Sequence, residues 1–490
     1  MEEAKPLIDD TTTKLIPSED GVECEKDTQY KVNAWTETIE LIKLAIPIVA
    51  TMALEFLPGS VSVAIVGHID SPLRKEYVDA AALSSVLLSL TGFSVGFGLI
   101  TAMDTLCSQT VGAGKLYNLG LYFQSGLIVL GFMYIPCLLL NFYAEGILLL
   151  LGQDPTVAAL SGIYSKISVL SMPGLFLYEL VKRVLQAQNV VNPMAYIAVV
   201  SNSLYIALAY YLCFYTEYGF LGAAVARVIS NTILPLFACA YLSWNPLYKD
   251  WWPADHSFSA QWKAAFEHVP EFFALGLPGM FMMLMDSMAF EVCSLMVGWL
   301  PNPILNMSVN SVLMSIGSQV YSLFLGLNVA ATVRLGNALG ANEPNRARMI
   351  STVSLGVTFA VGLVVSLVFL IARDAMPRLF INDPDAIAAT QHVLAIFAVY
   401  EMIDGMNCST QSILKGMGKQ SVGAWVNAAA YYIFGIPLGA WLAFYFKFGI
   451  EGLWFGLTGG LFLAFCVFVW FICRVSWKQM AIEAIARTST

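Results

Sequence analysis

The stretch Met282–Pro303, "MMLMDSMAFEVCSLMVGWLPNP", has the apolar run of a helix that crosses a membrane, yet it carries Asp286 and Glu291. A bilayer crossing needs about 20 mostly apolar residues wound as helix. The surroundings agree with that reading. Hydrophobic residues make up 58% of the 490, against about 45–50% in soluble chains. Mean hydropathy is +0.69 and only 12% of residues are charged. The chain is read as an all-α, polytopic membrane protein.

Segmenting by apolar length and by Gly, Pro and charge predicts twelve spans. The first six cover 42–66, 80–105, 120–142, 158–181, 193–214 and 220–242. The second six cover 272–298, 309–332, 350–371, 388–412, 423–445 and 450–473. Lys and Arg gather on the cytoplasmic side of membrane proteins. With both termini inside, eighteen of the 25 basic residues fall there. Five fall outside (Arg74, Lys75, Arg373, Arg378, Lys447), and Lys166 and Arg227 lie within spans.

The chain also repeats itself. Pro47, Glu55 and Gly67 recur as Pro278, Asp286 and Gly298; Gly98, Leu99 and Ala102 recur as Gly326, Leu327 and Ala330. Asp154-Pro155 returns as Asp383-Pro384, and Gly219 and Gly222 as Gly449 and Gly452. An even number of spans per half makes the halves parallel repeats, and transporters built this way bind substrate between them near the bilayer midplane. The predicted organisation is a disordered cytoplasmic tail at 1–34, six-helix lobes at 35–242 and 272–475, and a cytoplasmic tail at 476–490. Between the lobes, 243–271 is a linker with a short interfacial helix around 258–268, and its tryptophans mark a membrane boundary. In the first tail, Glu3 with Leu7-Ile8 has the form of an acidic dileucine sorting signal.

Ionisable residues at bilayer depth usually line a cavity, pair, or relay protons. Asp286 and Glu291 are separated by about 140° and 7.5 Å along a straight helix, so one can face a central cavity while the other faces its own bundle. Glu401 and Asp404, three apart, share a face. Glu55 and Arg227 are further candidates, Arg227 with no partner visible in the sequence. Asp104 and Glu179 read as paired or solvated near the cytoplasmic end. Burial and a neighbouring carboxylate both favour the protonated form of a carboxyl group, so such groups can exchange a proton for a cation.

Several functions are excluded or disfavoured. No basic patch interleaved with aromatics suggests nucleic acid. "VGAGKLY" and "KGMGKQS" lack the spacing of a phosphate-cradling loop. The nine cysteines form no C-x-x-C pair, the four histidines show no ligand spacing, and no cofactor or metal is expected. A flippase for a lipid-linked substrate would need several cavity cations, and an intramembrane enzyme would need clustered His or Asp motifs.

"TGFSVGFGLITAMDTLCSQTVGAGK" (91–115), "LLLGQDPTVAAL" (149–160), "AFEVCSLMVGWLPNP" (289–303), "RLGNALGANEPNRAR" (334–348) and "LKGMGKQSVGAWVN" (414–427) resemble the multidrug and toxic compound extrusion (MATE) family, eukaryotic, plant-like branch. The resemblance covers about 35–475. It implies a V-shaped cavity between two six-helix lobes and export of organic, often cationic, small molecules in exchange for protons, with sodium left open as coupling ion. It places Asp286 and Glu291 at an acid pair in the seventh span, where the first acid is usually Glu, and Asp404 at a functional acid in the tenth. Met288 stands where a Trp is common. The expected protein is a monomer in the lipid bilayer of a plasma or vacuolar/endolysosomal membrane. Asn306-Met307-Ser308 is a glycosylation sequon in the loop between spans seven and eight, and its use is not expected.

Overall fold

The computed structural model describes residues 33–253, 257–381 and 383–489. The expected disordered tail, with its sorting signal, lies almost entirely outside them. Among the described residues, twelve helices are long and apolar enough to cross a membrane. They are α1 (Ala34–Val66), α2 (Arg74–Gly112), α3 (Leu116–Phe142), α4 (Pro155–Ala187), α5 (Asn192–Phe214) and α6 (Gly219–Trp244). The second set is α7 (Phe258–Val297), α8 (Pro303–Gly340), α9 (Pro344–Ala372), α10 (Pro384–Met417), α11 (Gln420–Tyr445) and α12 (Gly449–Arg474). A last helix, α13 (Trp477–Ser489), follows. Helices dominate because a lipid environment leaves every backbone polar group to be satisfied inside its own segment.

The repeated residues acquire physical reasons. Asp154 and Asp383 are N-caps, accepting from the Thr156 and Asp385 amides, and Pro155 and Pro384 occupy the next position. There a missing N–H costs nothing. Gly98 and Gly326 meet the opposite lobe: a Cβ on Gly98 would strike the Met280 backbone, and one on Gly326 the Val49 backbone. The same repeat position therefore makes the inter-lobe contact twice, related by the pseudo-twofold.

Two expectations about the linker change. The predicted interfacial helix around 258–268 is not separate, since α7 runs unbroken for 40 residues from Phe258. Trp251 does not present its indole at the surface; it is 2% exposed, and its carbonyl accepts the Gly120 amide at 2.8 Å. Trp244 is exposed, as an interfacial indole would be.

Three helices depart from α geometry near the middle of the lobes. In α2, Ser89–Phe93 forms a π-turn, and in α11 Ala429–Gly435 and Trp441–Tyr445 do so. Pro437 offers no N–H to the carbonyl four residues back, which explains the widening that precedes it. In α4, Val169–Ser171 tightens to a 3-10 turn just before Pro173.

The lobes touch along one half of their length. Going from the middle toward the termini, α2 meets α7 at Gly98–Met280 and Leu99–Gly276, then α8 at Ser108–Gly336 and Gln109–Gly340. Glu37 of α1 bonds Arg334 of α8 and, at 2.8 Å, Arg346 of α9. In α13, Arg487 reaches Gln109 of one lobe and the Met417 carbonyl of the other, both at 3.2 Å. Toward the other face the outermost inter-lobe pairs are Ser94–Ser287 and Phe56–Tyr321. The cleft is thus closed on the face that carries the termini and open on the opposite face.

Candidate functional site

Two groups of ionisable side chains sit at depth, one per lobe. In the N-terminal lobe, Lys182 of α4 is fully buried and donates to both oxygens of Glu55 on α1, at 2.7 and 2.8 Å. It also donates to Glu179, one turn away, at 2.5 Å. Arg183 forms an ion pair with Asp104 of α2 at 3.1 Å and lies 3.8 Å from Glu179. Three acids therefore share two cations in a closed network. Asp104 and Glu179 take the paired role expected for them, and Glu55 joins them. Lys182 and Arg183, counted among the basic residues of the cytoplasmic side, are both buried inside the lobe, held there by acids from α1 and α2.

The C-terminal lobe is built otherwise. Asp286 on α7 accepts from the Asn427 side-chain amide of α11 at 2.9 Å. The Gln411 and Tyr431 side chains and the Asp404 carboxyl are its other near neighbours. Glu401 and Asp404 on α10 are buried, and one Glu401 oxygen has no hydrogen-bond partner. None of Asp286, Glu291, Glu401 and Asp404 makes an ion pair among the described residues. The nearest cation is Lys415, which stands within electrostatic range of Asp104 as well as Asp286. The structure thus brings Asp286, Asp404 and Glu401 together. Glu291 is half-buried and has no charged neighbour of its own. The first of the two acids in the opening stretch faces the cluster and the second does not, as their angular separation on a helix requires.

The π-turn in α11 matters here. Asn427 lies in the last turn of the regular helix before it and Tyr431 lies within it, so the local widening sets how both side chains present to Asp286. Turns of this kind recur at functional sites. Asn427, Tyr431 and Gln411 were not among the residues that sequence reasoning singled out. They are neutral groups in an apolar run, and only the i, i+4 spacing of Asn427 and Tyr431 would have placed them on one face.

Arg227 of α6 is buried and makes no hydrogen bond or ion pair among the described residues. It lines a partly open cavity of about 60 Å³ in the N-terminal lobe with Glu55, Asn202, Asn231, Phe93 and Phe97. At the α8 entrance, the Asn306 side chain is tied to the Pro301 carbonyl at 2.6 Å within the first helical turn.

Comparison with known proteins now decides the family. The MatE family profile matches residues 47–211 and again 278–441. The chain belongs to the MatE family. The two matches fall on the two lobes, so the profile recovers the internal repeat. The chain is 33% identical over 457 residues to multidrug and toxin extrusion protein 1 of Danio rerio, covering 93% of this chain and 75% of that protein. It is 31% identical over 479 residues to protein DETOXIFICATION 17 of Arabidopsis thaliana, covering 96% and 98%. Among solved structures, the eukaryotic MATE transporter AtDTX14 matches with a TM-score of 0.86 at 31% identity, covering 93% of this chain and 99% of that one. The Vibrio cholerae MATE transporter VcmN in the bent form shares the fold, with a TM-score of 0.77 at 17% identity over 93% and 99% of the chains. This MatE protein is an integral, multi-pass membrane transporter of the multidrug and toxin extrusion family, and not an enzyme.

Proposed function

We propose that the protein is a secondary antiporter that exports organic, often cationic, small molecules in exchange for protons, acting as a monomer by alternating access. The observation that carries this reading is the buried acid cluster of Asp286, Asp404 and Glu401, which makes no ion pair among the described residues, in a molecule whose lobes meet along one half of their length only. Several carboxylates held at close quarters away from water cannot all remain ionised without a counter-charge. A proton and an organic cation are alternative ways to supply it. Whichever enters displaces the other, and that competition is the elementary step of exchange.

Each lobe supplies part of the cycle. The Asn427 amide donates to one oxygen of Asp286 and Gln411 and Tyr431 stand beside the carboxyl, neutral partners that leave its charge to be met by a proton or a cation. Asp404 couples to it through charge, so occupancy of one changes the affinity of the other. The closed half of the interface, with the Glu37–Arg334–Arg346 lock and α13 across both lobes, keeps the site from being open to both faces together. Placing the terminal face in the cytoplasm, as the Lys and Arg distribution indicates, makes the present state open to the outside, the state in which a proton would enter and a cargo molecule leave.

The test is transport in vesicles containing the purified protein, with an imposed pH gradient and a fluorescent organic cation. The cation should move against the proton flow and stop when the gradient is collapsed by a protonophore. Cation movement indifferent to the gradient, with a sodium gradient driving it instead, overturns the proton reading.

A further inference from the structure

Counted by lobe, the buried charges assign one cation to the interface. In the N-terminal lobe, Glu55, Glu179 and Asp104 are matched by Lys182, Arg183 and, on the same cavity as Glu55, Arg227. In the C-terminal lobe, Asp286, Glu401 and Asp404 have Lys415, which reaches Asp286. Lys415 ends a polar stripe on α10. Asp404, Cys408, Gln411 and Lys415 stand at i, i+4, i+7 and i+11 of an unbroken helix. Lys415 therefore shares the face of Asp404, about 16 Å further along, with Gln411, a neighbour of Asp286, between them. Helical side chains lean toward the N-terminus, which turns the Lys415 stem toward Gln411. Its backbone is fastened to the opposite lobe. The Thr105 hydroxyl of α2 donates to the Lys415 carbonyl at 2.6 Å, the Gln109 side-chain amide to the Gly416 carbonyl at 3.0 Å, and the Gln420 amide to Thr105 Oγ1 at 2.8 Å. The groups facing the ammonium are Asp104 of α2, Arg183 of α4, Asp286 of α7 and Cys408 of α10. Nearby charges on other elements are engaged elsewhere: Arg334 of α8 by Glu37, Glu483 of α13 by Lys419, and Arg487 of α13 by Gln109 and the Met417 carbonyl. Around the acids, the Tyr321, Tyr400 and Tyr431 phenols bring no positive charge.

We infer that Lys415 is a positioning residue of exchange, an internal counter-ion that the lobe interface passes from Asp104 to the acid cluster. The inference rests on the antiport reading above. With the interface closed, as here, Lys415 is shared between acids of both lobes, and the cluster can take a proton from the opposite face. When the interface parts, the Thr105 and Gln109 bonds to α10 break and Asp104 leaves with its own lobe. Lys415 is carried on α10, so it stays with Asp286 and Asp404. An opposite charge favours the ionised form of a carboxyl group. The proton then passes from the carboxyl to water at the face that has just opened, and Lys415 keeps its own protons throughout. The opening of one face and the release of the proton are thereby tied to a single side chain.

The experiment is the pH profile of tetraphenylphosphonium binding to the purified full-length protein in lipid nanodiscs. In the wild type, affinity should fall as pH falls, with a definite midpoint. Lys415→Met removes the counter-ion and should raise that midpoint by about one pH unit, with tighter binding at high pH. Lys415→Arg keeps the charge and should restore the wild-type midpoint, which a merely structural role would not require. Asp104→Asn removes the competing acid, leaves Lys415 to the cluster, and should move the midpoint the other way. Thermal unfolding midpoints report whether each variant is folded. Should Lys415→Met not fold, Lys415→Gln, which keeps a polar group at the interface, carries the test with the same expected rise. A steep wild-type profile with an unchanged midpoint in the folded neutral variant overturns the inference alone, as does an equal rise in Lys415→Arg. A flat wild-type profile overturns the proton reading itself, and this inference with it.

Discussion

The two lobes are copies of one six-helix design, yet their buried acids live in opposite conditions. Glu55 and Asp286 occupy the same repeat position, on α1 and α7. Glu55 is locked to Lys182, while Asp286 meets neutral donors and a second carboxyl and makes no ion pair among the described residues. α4 carries a Lys-Arg pair at 182 and 183, and the corresponding stretch of α10 carries neutral residues and then Lys415, several residues further on. One side chain in the right register gives the carboxyl of one lobe an ion pair that its counterpart in the other lobe lacks. The comparison separates fold from charge: shared glycines and Asp-Pro caps maintain the architecture, and under the proposed function the cations decide which lobe can exchange charge.

Removing a partner from the closed network should do the greatest damage. Lys182→Met leaves Glu55 and Glu179 buried without their cation, and should cost about 3–5 kcal/mol of stability, seen as a large drop in the thermal unfolding midpoint of the purified protein. An unchanged midpoint would mean that the two lobes do not differ as described. Asp286→Asn should reverse that pattern, with cation transport falling about tenfold to a hundredfold, or about 1.4–2.7 kcal/mol, and the midpoint held. The pH profile sharpens the contrast. Organic-cation affinity should weaken as pH falls, because protonation removes the negative charge that holds the cation, and Asp286→Asn should flatten that dependence.

A smaller effect is expected at the closed half of the interface. Glu37→Gln weakens two charge-assisted bonds and should shift the lobe equilibrium by about 1–3 kcal/mol toward opening of the terminal face. Spin labels in place of the exposed Tyr117 and Arg348 would report a longer distance population. Glu291→Gln should have the smallest effect, within about twofold on transport or about 0.5 kcal/mol, because Glu291 stands apart from the cluster. A loss as severe as that of Asp286→Asn would place Glu291 on the proton route after all.

Much of the architecture was legible in the sequence, and the physical reasons are specific. Twelve spans and the repeat could be read because lipid imposes length and hydropathy directly, and because caps and glycines are local devices. Asp286, Asp404 and Glu401 stood out because an acid in an apolar run is costly to bury and rarely persists there without a role. What could not be read was pairing. Lys182 and Glu55 lie 127 residues apart, and Lys182 looks cytoplasmic until α1 and α4 are packed together. The separate helix expected around 258–268 failed for a related reason. Its polar face and the start of the apolar span share one helical register, and nothing in composition marks where one helix would end.

The central claim is that protons and organic cations compete for the acid cluster of the C-terminal lobe. Its most direct measurement is calorimetric binding of tetraphenylphosphonium, which carries a permanent charge and no proton of its own, to the purified protein in buffers of different ionisation enthalpy. The account predicts net proton release on binding by the wild type, which diminishes or vanishes in Asp286→Asn. Binding with no proton release at any pH near neutrality would contradict it.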